Sequence, residues 1–230
     1  FAKQNVSKLR NYQAKHFSFN VDGGRCEVCK GDGEVTIEMQ FMADVHLECE
    51  ACNGKRFKKE VLEVTFEGKN IDDVLKMTID EALHFFTEQK QTKITQKLQP
   101  LQDVGLGYVQ LGQSSSTLSG GEAQRIKLAS FLVKGTIKDK ALFVFDEPTT
   151  GLHFHDIKKL LASFDALLEK GHSIIVIEHN LDLIKCADYI LDIGPEGGEN
   201  GGKLMAFGTP EEVAKNKNSI TGKYLKEKLK

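Results

Sequence analysis

The stretch from Leu118 to Glu147 constrains this chain more than any other. Ala141-Leu142-Phe143-Val144-Phe145 is an unbroken apolar run of strand length, and it ends in two adjacent acids, Asp146-Glu147. A run without polar alternation predicts a strand buried on both faces, as in a parallel sheet covered by helices. Upstream, Leu118-Ser119-Gly120-Gly121-Glu122 sets a glycine-rich polar turn before a helical stretch from Ala123 to about Val133. Downstream, Pro148 stops the strand and Thr149-Thr150-Gly151 makes a loop. A helix is then expected from about His155 to Lys170. A second apolar strand, Ser173–Ile177, runs into Glu178-His179-Asn180. Polar groups gathered beyond successive strand ends are the pattern of an α/β domain that holds ligands at the carboxyl edge of its sheet.

The residue types at those edges suit phosphate chemistry. A helix opened by Ser119, Gly120 and Gly121 presents unpaired N–H groups and the positive end of its dipole to an anion. Ser119-x-x-Glu122 also fits a plain capping box, so the turn alone does not separate the two readings. The strand that follows tips the balance. In nucleotide hydrolysis the first acid of such a pair, here Asp146, holds Mg²⁺. The second, Glu147, can polarise the attacking water. His179 stands at the equivalent end of the next strand and is a candidate ligand sensor; the alternative is a satisfied structural histidine.

Four of the five cysteines form Cys26-x-x-Cys29 and Cys49-x-x-Cys52, with nineteen residues between the pairs. Two such knuckles supply four thiolates for a tetrahedral zinc ion, and a Cys₄ set leaves no open position for a substrate water. The site is therefore expected to be structural. The alternatives are disulfides, disfavoured for a cytoplasmic chain, and unrelated buried thiols, disfavoured by the specific spacings. Gly31, Gly33 and Asn53-Gly54 flank the knuckles, where positive φ angles turn backbone N–H groups towards sulfur. Between them Val35–Phe41 alternates and reads as a strand. Cys186 is expected in the core, and His46 on a hairpin surface instead of on the metal.

Composition is that of an ordinary globular protein, with no apolar run near the roughly 20 residues that span a bilayer. The start, Phe1-Ala2-Lys3-Gln4, shows no signal peptide and no initiator Met, which predicts a piece of a cytoplasmic protein. The net charge of −2 confines any nucleic-acid binding to a local basic patch. Lys3, Lys8, Arg10, Lys15, Arg25 and Lys30 with Lys55-Arg56-Phe57-Lys58-Lys59 could form one, Arg25, Lys30, Lys55, Arg56 and Lys58 lying near the knuckles, against the alternative of a solvated surface. The chain divides as a basic segment (1–20), a zinc module (21–60), a helical region reaching through the glycine-rich turn (61–135), and an α/β half (136–230). In the middle, 61–66 reads as a strand and 67–70 as a turn. Thr78-Ile79-Asp80-Glu81 caps a helix with Ala82, Leu83, Phe85 and Phe86 as core, and a second helix covers about 91–102. Near the end, 203–208 reads as a strand, and Thr209-Pro210 opens a helix.

Taken together these residues resemble the ABC-type ATPase family: a signature loop at 118–122, a Walker B strand at 142–147 and a switch histidine at 179. More narrowly they are similar to the UvrA family of DNA-repair excinuclease subunits. Phe17–Cys26, Asp103–Tyr108, Leu118–Ala129, Asp146–His153, Ile177–Asp182 and Ile193–Gly198 carry that likeness. Glu122, where many transporters have Gln, also fits this family. The resemblance implies an ABC-type, P-loop-NTPase-like α/β module with a mainly parallel core sheet, a helical signature subdomain and a Cys₄ zinc insertion. It further implies ATP with Mg²⁺, Ser119, Gly120 and Gly121 on the γ-phosphate of ATP held by another module, and His179 as γ-phosphate sensor. The implied partners are damaged double-stranded DNA, UvrB, a second copy of the protein and the N-terminal ATPase half of the same chain. The zinc module is implied to engage DNA, and no membrane is involved.

The family's Walker A loop precedes the zinc module, and the chain is expected to begin beyond it. Gly197-Gly198-Glu199-Asn200-Gly201-Gly202-Lys203-Leu204 imitates that loop, but Leu204 stands where a Mg²⁺-binding Ser or Thr belongs and a strand follows. The piece alone is thus expected to bind zinc without hydrolysing ATP. Three other readings stay open: a non-hydrolysing zinc or DNA-binding piece, a UvrA-like paralogue with a drug-resistance role, and a transport-type ABC protein.

Overall fold

The computed structural model describes residues 1–39, 44–134, 140–196 and 201–229. They fall into two units. The first comprises Phe1–Leu98 and Gly107–Leu118, the second Gln99–Leu106 and Ser119–Lys230.

The first unit contains α1 (Asn5–Leu9), β1 (Glu34–Ile37), β2 (Val45–Glu48), α2 (Lys59–Leu62), α3 (Ile71–Lys76) and α4 (Ile79–Glu88), and α5 (Thr92–Asp103) leads out of it. β1 and β2 form an antiparallel ribbon with Val35 opposite Leu47 and Thr36 opposite His46. The expected strand thus begins one residue early and stops at Ile37, short of Glu38 and Met39; Gln40 and Phe41 lie outside the described residues. α4 opens on the expected reciprocal cap: Thr78 N–H donates to Glu81 Oε2 (2.8 Å) and Glu81 N–H to Thr78 Oγ1 (3.2 Å). Its Ala82 and Phe86 join Val74 and Met77 in a core lined by Phe66, Phe85, Leu98 and Leu111.

The strand expected at 61–66 is not there. Lys59–Leu62 is a helical turn, and Val61 and Val64 are both buried. Residues three apart lie on one side of a helical turn but on opposite faces of a strand, so burying both selects the turn. The turn at 67–70 is present: Phe66 and Lys69 exchange backbone hydrogen bonds around Glu67 and Gly68, both at positive φ.

The second unit contains α6 (Gly120–Lys134), β3 (Leu142–Asp146), α7 (Phe154–Leu168), β4 (Ser173–Ile177), α8 (Leu181–Ile184), β5 (Ile190–Gly194), β6 (Lys203–Gly208), α9 (Pro210–Val213) and α10 (Ile220–Lys228). β3 and β4 are parallel, from Leu142 opposite Ser173 to Asp146 opposite Ile177, with α7 as the crossover. α7 buries Ile157, Leu160, Phe164 and Leu167, and the Phe164 ring lies 4.8 Å from that of Phe145. This α/β unit is the fold class that the strand-and-acid pattern predicts. The strands are not buried on both faces, however. Leu142 and Val144 are 60% exposed, and Ile175 and Ile177 51%. Within the described residues α7 covers one face, and a continuous apolar run does not say how many faces are covered.

β5 and β6 form an antiparallel pair with an irregularity between Asp192 and Ile193. Ile190 and Ala206 pack with Val213 and Leu225. α9 opens with Pro210 at its first position and a Thr209–Glu212 capping box. The strand at 203–208 excludes a P-loop there, since a P-loop must open a helix; Gly197–Asn200 lie outside the described residues. Cys186 is exposed, not in the core, its thiol turned to the Asp182 carbonyl beside the four-residue α8. Among the described residues no helix is long and apolar enough to cross a membrane.

Candidate functional site

Because β3 and β4 run parallel and in register to Asp146–Ile177, the chain leaves both strands at one edge. Glu147 N–H donates to the Ile177 carbonyl (2.9 Å), extending the pairing by one residue. The backbone then reverses. Glu147 has φ 45°, the left-handed region that a side chain disfavours by about 1 kcal/mol or more. The reversal sets Glu147 Oε1 3.6 Å from His179 Nε2, and both side chains are largely open to solvent. Asp146, the last residue of β3, is exposed at this same edge.

α6 meets the same edge. Ser119 N–H donates to Glu122 Oε2 (2.7 Å) and Glu122 N–H to Ser119 Oγ (3.2 Å), so the turn is a capping box. Ser119 and Gly120 are exposed, and nothing stands within 4 Å of the position a Gly120 Cβ would take. A Cβ on Gly121 would instead sit 3.4 Å from the Thr150 carbonyl and 3.6 Å from that of Glu147. The missing side chain there lets the helix start lie close to the loop after β3.

Three residues outside the sequence-derived set hold this edge together. Gln124 accepts the Asp146 N–H (3.2 Å). Arg125, buried to 1% exposure, donates from one guanidinium nitrogen to the carbonyls of Pro148 (2.7 Å) and Thr150 (3.4 Å). Glu178 accepts from Thr149 N–H (2.9 Å) and Thr149 hydroxyl on one oxygen. On the other it accepts from His179 N–H (2.7 Å) and Asn180 N–H (2.9 Å). Burial pushes the Glu178 carboxyl up, but these hydrogen bonds outweigh it and leave the group below the usual carboxylate range. No local sequence signal marks Glu178, since its partner Thr149 is 29 residues away.

In the first unit the four sulfurs of Cys26, Cys29, Cys49 and Cys52 lie within 4.8 Å of one another. All four thiols are free and buried. The two knuckles face each other, with Cys26 and Cys49 sulfurs 3.9 Å apart and Cys29 and Cys52 sulfurs 3.7 Å apart. Gly33 N–H points at the Cys29 sulfur (3.3 Å). Gly31 has φ 96°, and a Cβ there would fall 2.3 Å from the Phe19 carbonyl oxygen. Burial pushes the Cys52 thiol up to about 12 and raises Cys29 as well. Burial acts the same way on Cys49, but the N–H groups of Cys52 and Ala51 and neighbouring thiols outweigh it and bring that group down to about 7. Four converging thiols that cannot all ionise unaided fit a divalent cation, which would supply the missing positive charge. His46 is not in the cluster; its Nδ1 lies 3.1 Å from Thr36 Oγ1 on the exposed ribbon.

The basic residues near the cluster are unequal. Arg25 is paired with Asp22 (2.7 Å) and Lys58 with Glu27. The Arg56 guanidinium lies 5.4 Å from the centroid of the Phe19 ring. Lys30 and Lys55 are exposed.

A parallel βαβ unit with paired acids and a histidine at one strand edge, and a capped glycine-rich helix start beside it, define an ABC-type ATPase core. Residues 29–150, more than half of the chain, match the family model described as ABC transporter, and the chain belongs to that family. Within it, the likeness is to UvrABC system protein A. The chain is 58% identical over 229 residues to that protein from Staphylococcus epidermidis, covering 100% of this chain and 24% of the relative. The same figures hold for the proteins of Staphylococcus aureus and Clostridium acetobutylicum. A crystal structure of UvrA2 from Deinococcus radiodurans matches with a TM-score of 0.86 at 46% identity, covering all of this chain and 28% of that one. The chain thus spans about a quarter of the length of these relatives.

Proposed function

We propose that the chain is the signature and Walker B portion of a UvrA-type ATPase, which recognises damaged DNA in nucleotide excision repair and loads UvrB. The observation that carries this is the convergence of Asp146, Glu147 and His179 at one strand edge, with Glu147 and His179 3.6 Å apart. In this reading Asp146 holds Mg²⁺, which neutralises phosphate charge when bound. Glu147 orients and polarises the attacking water, and His179 reaches the γ-phosphate as donor. Ser119, Gly120, Gly121 and Glu122 present a helix N-terminus to ATP held by another module, in the other half of the protein or a second copy. Cys26, Cys29, Cys49 and Cys52 hold a structural zinc ion. The chain on its own is expected to bind zinc without turning over ATP, since it contains no G-x-x-x-x-G-K-[ST] sequence.

The test is ATP turnover and damaged-against-undamaged DNA binding by the full-length protein, with and without Glu147→Gln. Loss of a water-polarising carboxylate should lower turnover by about 10²-fold or more. Persistent turnover would assign hydrolysis to another site. For DNA, the pairing of Arg25 and Lys58 to acids favours Lys30 and Lys55 as phosphate contacts. Lys30→Glu with Lys55→Glu should reduce the salt-dependence slope of DNA binding by about 2. An unchanged slope would remove these residues from the interface.

A further inference from the structure

We propose that Glu178 is a positioning residue that fixes the Glu147–His179 pair by tying the loop after β3 to the turn after β4. This rests on the reading of Glu147 and His179 given above. Glu147 and His179 belong to different segments, joined at this edge by one backbone hydrogen bond, from Glu147 N–H to the Ile177 carbonyl. Their side chains are 55% and 82% exposed, so burial does little to hold their spacing. Glu178 supplies what packing does not. One carboxylate oxygen takes both donors of Thr149, two residues beyond Glu147, and the other takes the N–H groups of His179 and Asn180. Asn180 in turn accepts the Asp182 N–H (2.9 Å), which caps α8 and anchors the far side of the turn.

The carboxylate is half-buried and its oxygens are occupied by protein donors, so it acts through its neighbours and not on a ligand. The chemistry calls for an acid. Four donors converge on two oxygens, and both must accept. A glutamine fills the same volume but turns an NH₂ group towards one pair of donors. That strands either the Thr149 N–H, whose hydroxyl can turn to accept, or the N–H groups of His179 and Asn180. Released from this tie, the imidazole and the Glu147 carboxylate lose a fixed separation, and misplacement on the ångström scale costs rate more than affinity.

Steady-state ATP hydrolysis by the full-length protein tests this, with wild type, Glu178→Gln and Glu147→Gln measured together. Glu178→Gln should lower kcat by about tenfold or more and leave KM for ATP within about twofold. A folded Glu178→Gln protein with wild-type kcat, alongside a Glu147→Gln protein without turnover, overturns the inference and leaves the site reading intact. Turnover that survives Glu147→Gln overturns the site reading, and this inference with it. A fall in kcat matched by an equal loss of ATP-binding protein also overturns it, because that is a loss of fold. Should Glu178→Gln not fold, Thr149→Val carries the test, since it keeps the carboxylate and deletes one donor. The expectation there is a fall in kcat of about two- to fivefold at unchanged KM, and wild-type kcat overturns the inference.

Discussion

Glu147 holds a backbone conformation that side chains disfavour, and it holds it at the one place where its carboxylate can meet His179. Local strain of this kind persists when surrounding contacts impose it. Glycine takes the same φ freely, at a cost of about 0.4–1 kcal/mol through the unfolded chain. The Glu147 side chain is half exposed and contributes little packing. Glu147→Gly is therefore expected to leave stability unchanged within about 1 kcal/mol, or to raise it, while abolishing turnover. Urea denaturation of the variant and wild type decides this; a loss well beyond that range would show that the side chain stabilises the loop. Glu178 makes a contrasting case. Its carboxyl lies below the ordinary value of 4.5 in the folded state. A depressed acid stabilises the fold above its unfolded-state value, and that contribution is lost as pH falls through the folded-state value. The destabilisation caused by Glu178→Gln should be full at neutral pH and shrink below about pH 4.5. A pH-independent difference in urea midpoint would contradict the hydrogen-bonded carboxylate.

At the scale of elements, three helix starts that rest on a local code were legible, while the Asn70–Asp73 box that opens α3 passed as the end of a turn. Thr78–Glu81, Ser119–Glu122 and Thr209–Glu212 are all reciprocal capping boxes. Thr78→Ala should cost about 1 kcal/mol, readable as a lowered thermal midpoint. The paired knuckles were legible for the same reason, since Cys-x-x-Cys encodes its own turn. Mercurial titration of the thiols should release a single zinc ion per chain to a colorimetric indicator, and Cys49→Ser should abolish that release. The other features that were not legible depend on distant partners. Val61 and Val64 looked like strand residues because a short apolar cluster fits either periodicity, and only the core on one side selects the helical turn. Likewise the apolar run 141–145 gave the strand and its parallel pairing but not the exposure of Leu142 and Val144. Glu178 was visible only as a polar residue at a strand end, because its work is done across 29 residues of sequence.

At the scale of the whole molecule, the second unit carries two sheets whose outer faces are apolar. On β5 and β6 these are Leu191, Ile193, Leu204 and Phe207, each 60–65% exposed. Contiguous apolar surface of this kind drives association. The isolated 230-residue chain should therefore self-associate at micromolar concentration, and Leu191→Lys with Phe207→Lys should raise its solubility limit. Equal solubility of the two proteins by light scattering would refute this.

Arg125 gives the second unit one further property. Its guanidinium, 1% exposed, belongs to the helix that Ser119 opens, and the carbonyls it grips belong to the loop that Glu147 begins. Sliding one past the other would strand a buried positive charge, at a cost of about 1–3 kcal/mol or more. Helix and loop therefore behave as a single gear. Whatever presses on the helix start is felt at the carboxylate, and whatever settles the carboxylate presses back with the same free energy. If the signature turn reads one nucleotide and Glu147 attends another, the two sites are geared together through Arg125 and its neighbour Gln124, and neither can keep its own time.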